Sequence, residues 1–127
     1  EMLTTEEAAR LYGVSVKILS KEDMFAHKLV AASERKNIAA RDIFDLVFFF
    51  RQLWNINEEL VELRTGREIK AYLEYLKEYI DSNLKSRDIL KDLGELLDDK
   101  QKNWAKNNLK QDFLFNLEFL ISSLDGS

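Results

Sequence analysis

The stretch AHKLVAASERKNIAARDIFDLVFFF, from Ala26 to Phe50, combines a helical repeat of apolar residues with charged residues at a few positions. A helix turns by about 100 degrees per residue, so residues that are seven apart lie nearly on one line. Lys28 and Arg35 have this spacing, and they share their face with small and apolar side chains. A face of that kind usually packs against other protein, where cations need anionic partners.

The second half of the stretch contains carboxylates that could be those partners. Asp42 and Asp45 are three residues apart and are therefore neighbours on a helix surface, with Phe49 on the same side. Arg41 precedes Asp45 by four residues, a spacing at which the two side chains can pair. The opposite side is the expected core, formed by Ile43, Leu46, Val47 and Phe50. We predict two neighbouring helices that direct cations and carboxylates into a common cleft.

Ordinary helix chemistry is a second explanation for the same charges. An Asp in the first turn of a helix is favoured by the helix dipole, and Lys or Arg can extend from a packed face into solvent. The functional explanation is phosphate binding, in which Lys28 and Arg35 neutralise a triphosphate. Asp42 or Asp45 would then orient a base, a ribose or one of the cations.

The composition is typical of a soluble, mainly helical protein. Of the 127 residues 46% are hydrophobic and 33% are charged, and the chain has no Pro and four Gly. The net charge of −4 argues against a surface made wholly for nucleic acid. The chain has no Cys, which excludes thiolate sites. His27 is the sole His, which excludes His-based metal sites and catalytic triads, and it is an expected surface residue. The lack of Cys also favours a cytoplasmic location. No apolar run is long enough for a membrane span.

Caps and periodicity predict a helical bundle with at most one short N-terminal strand. We expect a short N-terminal helix, a strand over 14–19 and about five further helices. Ser20 and Asn57 are the expected N-caps of two of them, and Gly66 is an expected C-terminal stop. Tyr72, Tyr75 and Tyr79 follow helical spacing and are expected to pack. The predicted helices include 21–35, 40–53, 67–83, 89–97 and an uninterrupted helix over 101–124.

The run VKILSKEDMFAHKLVAASERKNIAARDIFDLVFFF resembles the nucleotidyltransferases of the AbiEii/AbiGii toxin family. Five features keep their order and approximate spacing: the SKED motif, a Lys, an Arg, an Arg-Asp pair and a later Asp. The resemblance is specific from Val16 to about Leu53, and beyond that range it is one of helical pattern.

The resemblance implies a DNA-polymerase-beta-like enzyme that moves a nucleotide from a triphosphate to an acceptor, in some relatives a tRNA end. The essential lysine and aspartate of that family would fall on Lys28 and Asp42, which become the candidate catalytic residues. Arg35, Arg41 and Asp45 match the surrounding pattern and are expected to bind the nucleotide or to support its site. The family also implies a role in toxin–antitoxin systems or phage defence, with an antitoxin as a partner.

The chain departs from this family at the metal-binding core. The family has a Gly-Ser motif and an Asp-x-Asp pair that hold the triphosphate and two magnesium ions. Here no two carboxylates stand two residues apart, and the sole Gly-Ser is at 126–127. We therefore expect the C-terminal part of a nucleotidyltransferase, with 1–19 left from the upstream core and 20–127 as the helical domain.

Such a chain is expected to be inactive alone, because phosphoryl transfer depends on positioning and metal electrostatics. Nucleoside triphosphate and magnesium are expected as cofactors of the full-length protein, and neither a cofactor nor a metal is expected for this chain by itself. Two copies of the chain could also associate and cover exposed surface.

Other function classes remain open from the sequence. Lys102, Lys106 and Lys110 surround Trp104 without an acidic residue, which is compatible with RNA contact or with an ordinary solvated helix face. A non-catalytic helical protein-interaction module is the alternative to a nucleotidyltransferase. A third class is DNA recognition by the first helices, through Arg10 and Lys17.

Overall fold

The computed structural model describes residues 19–93 and 97–125, and throughout this part the secondary structure is helical. No strand occurs among these residues, which confirms the mainly α fold class for them. None of the described helices is long and apolar enough to cross a bilayer. The helices are α1 (Lys21–Glu34), α2 (Ala40–Arg51), α3 (Glu58–Thr65), α4 (Ile69–Asn83), α5 (Ser86–Leu93), α6 (Asp99–Trp104) and α7 (Lys110–Asp125).

The predicted N-terminal helix and nearly all of the predicted strand lie outside the described residues. The same holds for Arg10 and Lys17, the residues of the DNA-binding alternative. The described fold begins with Leu19 and Ser20, which directly precede α1.

Local caps determine where α1 and α3 begin and where α3 ends. Ser20 Oγ accepts a hydrogen bond from the backbone N–H of Asp23 at 3.1 Å. In the same way Asn57 Oδ1 accepts from the backbone N–H of Leu60 at 3.1 Å. Gly66 has a φ of 69°, in the left-handed region that ends many helices. The structure thus confirms all three predicted helix ends.

Helix α2 has no cap of its own. Ala39 occupies the cap position and contributes no side-chain hydrogen bond. Asp92 of α5 takes over this function, since its Oδ2 accepts from the backbone N–H of Ala40 at 3.0 Å. This bond fastens α5 to the first turn of α2, the turn that contains Asp42.

Aromatic rings set the register between α1 and α2. The ring of Phe25 on α1 lies 5.5 Å from Phe49 and 5.0 Å from Phe50, both on α2. Phe49 in turn stacks on Trp54 at 4.6 Å. Because edge-to-face and stacked rings pack in restricted geometries, these contacts decide which residues of the two helices face each other.

The core lies between α1, α2, α4 and α7, and it contains the predicted apolar face of α2. On that face Ile43, Leu46 and Val47 are buried and Phe50 is half-buried. Of the three tyrosines expected to pack, Tyr72 is buried in the core. Tyr75 also packs, since its ring stacks on Tyr79 at 5.9 Å, but it is 38% exposed and lies outside the core, under the guanidinium group of Arg67 at 4.3 Å.

The C-terminal helices differ from their predicted bounds. Helix α5 begins earlier than the predicted 89–97, and Leu97 is not helical. The helix expected to run without interruption over 101–124 contains a π-helical turn, Ala105–Leu109, between α6 and α7. Ala105 and Leu109, at the two ends of this turn, are both buried in the core.

Replacing Asp92 with Ala should lower the free energy of unfolding by about 1 kcal/mol, because the first turn of α2 loses its only side-chain acceptor among the described residues. The measurement is chemical denaturation followed by circular dichroism. Lys91→Ala, a change at the exposed neighbouring residue of α5, is the matched control and should have little effect. Equal stabilities of wild type and Asp92→Ala would show that the bond between α5 and α2 does not stabilise the fold.

Candidate functional site

Four of the charged residues singled out in the sequence meet along the seam between α1 and α2. Lys28 Nζ lies 3.1 Å from Asp42 Oδ1 and 2.8 Å from Asp45 Oδ2. Arg35 Nε lies 2.8 Å from Asp42 Oδ2. Cations from α1 therefore alternate with carboxylates from α2. We call Lys28, Arg35, Asp42 and Asp45 the seam cluster.

Burial differs sharply among the members of the seam cluster. The side chain of Asp42 is 5% exposed, whereas Lys28 is 32%, Asp45 36% and Arg35 56% exposed. Among the described residues, Asp42 is the one charged residue that is buried. Because a buried carboxylate is costly without partners, the two cations are needed to keep it in place. The cluster is thus closed at Asp42 and open to solvent at Arg35.

One oxygen of Asp42 keeps part of its hydrogen-bonding capacity. Its Oδ2 is buried and lies close to Arg35 Nε, yet no hydrogen bond from the described residues reaches it. The contact with Arg35 is consequently electrostatic, without an N–H directed at the oxygen. A carboxylate oxygen has two lone pairs, so Oδ2 can still accept a hydrogen bond from a donor that approaches when Arg35 moves.

The pKa of Lys28 reflects two opposing influences. Partial burial lowers the pKa, but hydrogen bonds and charge from Asp45 and Asp42 outweigh burial and hold it above the ordinary value of 10.5. The ammonium group therefore remains charged at neutral pH. It can bind an anion, provided that the anion competes with the two carboxylates.

Arg41 does not form the ion pair with Asp45 that its spacing allowed. Asp45 pairs with Lys28 instead, across the seam. Arg41 is exposed, and within residues 19–93 and 97–125 no ion pair links it to a carboxylate. The reason is that Lys28 approaches Asp45 from a partly buried side, where charge pairing is stronger than at the helix surface.

His27 lies on another side of α1 and is half-buried rather than a free surface residue. Its Nδ1 is 3.0 Å from Arg64 Nη1, and Arg64 Nη2 donates to Glu34 at 2.7 Å. Burial and the charge of Arg64 lower the pKa of His27 below its ordinary value. Arg64 comes from α3, so the sequence pattern of α1 could not indicate this contact.

The three lysines considered for RNA contact have different surroundings. Lys106 is exposed and Lys102 is half-buried. Lys110 Nζ donates to the backbone carbonyls of Asp81 and Leu84 at 2.8 and 2.9 Å, at the C-terminal end of α4. A cation at this position stabilises the helix end. Lys110 thus has a structural role, and RNA contact by Lys102, Lys106 and Lys110 stays a prediction.

The seam cluster suits phosphate better than a metal ion. Asp42 and Asp45 both face cations, and no three His, Asp or Glu side chains of the described chain come close enough to hold a metal. Magnesium needs carboxylate oxygens that are free to coordinate it, so we assign no metal-dependent step to these residues. Lys and Arg groups that are partly open to solvent are suitable donors for phosphate oxygens.

A separate apolar groove of about 570 Å³ lies between α4, α7 and the loop that follows α2. Leu53 and Phe119, two of its lining residues, are 86% and 70% exposed. Leu53 also has a φ of 59°, which is unfavourable for a branched side chain. None of the site residues predicted from the sequence lines this groove.

Comparison with known proteins gives one family match. The family model described as "Nucleotidyl transferase AbiEii toxin, Type IV TA system" matches residues 3–119. This range contains the whole seam cluster and extends well beyond the part in which the sequence resemblance was specific. It confirms the family resemblance. Neither the curated proteins nor the solved structures yielded a match.

The stabilising effect of the Lys28 charge should disappear at high pH. Because the pKa of Lys28 is raised in the folded state, its contribution is complete below the ordinary value of 10.5 and is lost as pH rises through the higher folded value. The measurement is the difference in unfolding free energy between wild type and Lys28→Gln as a function of pH. We expect a constant difference at neutral pH that shrinks above pH 10.5. A difference that stays constant throughout would contradict the ion pairs of Lys28.

Proposed function

Since this chain belongs to the AbiEii nucleotidyl transferase toxin family, we propose that its seam cluster is the nucleotide-contacting part of a nucleotidyl-transfer site in a toxin–antitoxin system. The observation that carries the proposal is the ion pair of Lys28 with Asp42, at 3.1 Å. These are the two positions onto which the resemblance carries the essential lysine and aspartate of the family. A charged pair at a partly open seam is also where a charged substrate can bind.

Lys28 and Arg35 are the proposed phosphate ligands. Lys28 is held by Asp45 at 2.8 Å, and Asp45 is the more exposed of its two carboxylate partners. An incoming triphosphate can therefore replace Asp45 while Asp42 keeps Lys28 in position. Arg35 faces Asp42 through Nε, so the remaining N–H groups of its planar guanidinium can contact phosphate oxygens.

Asp42 is the proposed positioning residue of the nucleotide site. Its buried carboxylate contacts both cations, so it determines where their charges lie before a ligand arrives. Groups held in place beforehand reduce the entropy that must be lost on binding. When Arg35 turns toward a phosphate, Oδ2 becomes available to a hydroxyl or N–H group of the nucleotide.

The proposed reaction moves a nucleotidyl group from a triphosphate to an acceptor, with a tRNA end as one acceptor class. A bond forms between the acceptor oxygen and the α-phosphorus, the bond from that phosphorus to the pyrophosphate leaving group breaks, and the acceptor proton passes to a base. The residues of the seam cluster bind and orient the triphosphate. We propose that a Gly-Ser and Asp-x-Asp segment, which these helices do not contain, supplies the metal ligands, and that an antitoxin regulates the enzyme.

A non-catalytic protein-interaction module is the second candidate function. The observation that favours it is the apolar groove with Leu53 and Phe119 exposed at its rim. This candidate requires no affinity for triphosphates. Ligand binding at the seam cluster therefore discriminates between the two functions.

Lys28→Gln and Arg35→Gln should each weaken the binding of inorganic triphosphate about tenfold, because each removes charge-assisted hydrogen bonds to phosphate. Isothermal titration calorimetry at low ionic strength measures this effect. The control is Lys77→Gln, which removes a lysine that pairs with Glu118 between α4 and α7, away from the seam. Equal weakening by all three substitutions would show non-specific charge attraction. If inorganic triphosphate does not bind to the wild type, the protein-interaction module remains as the function.

Asp45→Asn should strengthen the binding of inorganic triphosphate several-fold. The substitution removes the negative charge that competes with phosphate for Lys28, while Asp42 still holds the ammonium group. Asp112→Asn is the matched control, since Asp112 pairs with Arg51 in a separate contact between α2 and α7. A weaker rather than a stronger affinity for Asp45→Asn would mean that Asp45 itself helps to hold the ligand.

A further inference from the structure

Phe48 lies beside the seam cluster with a large part of its ring in solvent. It follows Asp45 by three residues on α2, so the two side chains are neighbours on the helix surface. Its exposed fraction is 45%, whereas the adjacent Phe49 is 5% exposed. The phosphate contacts proposed above give this ring no role.

The ring of Phe48 is 45% exposed and makes no stacked contact with another ring of the described residues. Its ring contact is with Phe49, whose centroid lies 6.3 Å away at an interplanar angle of 67°, an edge-on arrangement that covers at most one face. Trp54 differs, because it stacks on Phe49 at 4.6 Å and has the ammonium group of Lys21 over its ring at 5.4 Å. Among the aromatic residues of this seam, Phe48 is therefore the one suited to a planar ligand.

The order of groups along the seam matches the order of groups in a nucleotide. Arg35, the residue that directly follows α1, and Lys28 are seven residues apart, and the cationic groups of both contact the carboxylate of Asp42. The helices run antiparallel, since Lys28 faces Asp45 whereas the earlier Phe25 faces the later Phe49. Phe48 lies beyond Asp45 by three residues, about 4.5 Å further along. The seam thus presents two cations first, then a carboxylate, then an exposed ring.

We propose that Phe48 is the stacking platform for the nucleobase of the triphosphate bound at Lys28 and Arg35. The inference rests on the proposed function, and it adds a base-binding residue to a site that was defined by phosphate contacts. The phosphates lie at the Arg35 end, the sugar passes Asp45 and the base covers the free face of Phe48. Because every nucleobase has a π-face, stacking on a phenyl ring selects weakly among bases and favours the larger purines.

The test compares nucleoside triphosphates with inorganic triphosphate as calorimetric ligands of the full chain. Phe48→Ala should weaken ATP and GTP binding about tenfold and leave inorganic triphosphate unchanged, because it removes the stacking surface and no charge. Phe48→Leu, which keeps an apolar side chain without a ring, should behave in the same way. Phe48→Trp should restore binding or improve it.

The matched control is Phe115→Ala, which removes an exposed phenyl ring on α7 and should change the affinity for neither ligand. An unchanged ratio of ATP to inorganic triphosphate affinity in Phe48→Ala would overturn the base platform and leave the phosphate site standing. If Phe48→Ala and Phe48→Leu both lose affinity for ATP and for inorganic triphosphate and both have a lower melting temperature, Phe48 stabilises the fold. That result would also overturn the base platform. A wild-type chain that binds neither ligand would overturn both the platform and the proposed function.

Discussion

A buried carboxylate is the constraint on which the arrangement of α1 and α2 depends. The carboxyl group of Asp42 is only 5% exposed, and Lys28 and Arg35 both approach it from the neighbouring helix to within 3.1 and 2.8 Å. Replacing either cation would leave the carboxylate with less compensation, so the spacing of Lys28 and Arg35 on α1 has to match the position of Asp42 on α2. The aromatic contacts of Phe25 with Phe49 and Phe50 maintain that match from the core side of the seam.

The charges of the seam cluster are balanced within the ligand-free protein. Two cations face two carboxylates, so the cluster by itself attracts a polyanion weakly, as expected in a chain with a net charge of −4. Binding of a triphosphate would then be an exchange, in which phosphate oxygens replace Asp45 at Lys28. Such an exchange selects for ligands with several closely spaced negative charges over single ions, since only these outcompete a carboxylate already in place.

Helical periodicity was sufficient to predict which charged residues of the seam would meet, because residues seven or three apart share a face in any helix. The caps at Ser20, Asn57 and Gly66 were predictable for the same reason, since each depends on residues within one turn. The partner of Asp45 was not, because spacing allowed Arg41 while tertiary packing brought Lys28 closer. The bonds from Asp92 to α2 and from Lys110 to the end of α4 join residues far apart in sequence, which no local pattern records.

Both helices of the seam are held at their ends by helices that contain no seam-cluster residue. Asp92 of α5 caps the first turn of α2, the turn that contains Asp42. On the other side, the hydroxyl groups of Tyr72 and Tyr79 on α4 donate to the carbonyls of Leu29 and Arg35, at 3.1 and 3.2 Å, along the last turns of α1. The backbone of Arg35 is thereby fixed while its side chain stays 56% exposed. Because the backbone of Arg35 is anchored and its side chain is exposed, that side chain could turn from Asp42 to a phosphate without any change in helix packing, so the proposed nucleotide site would need no rearrangement of the fold.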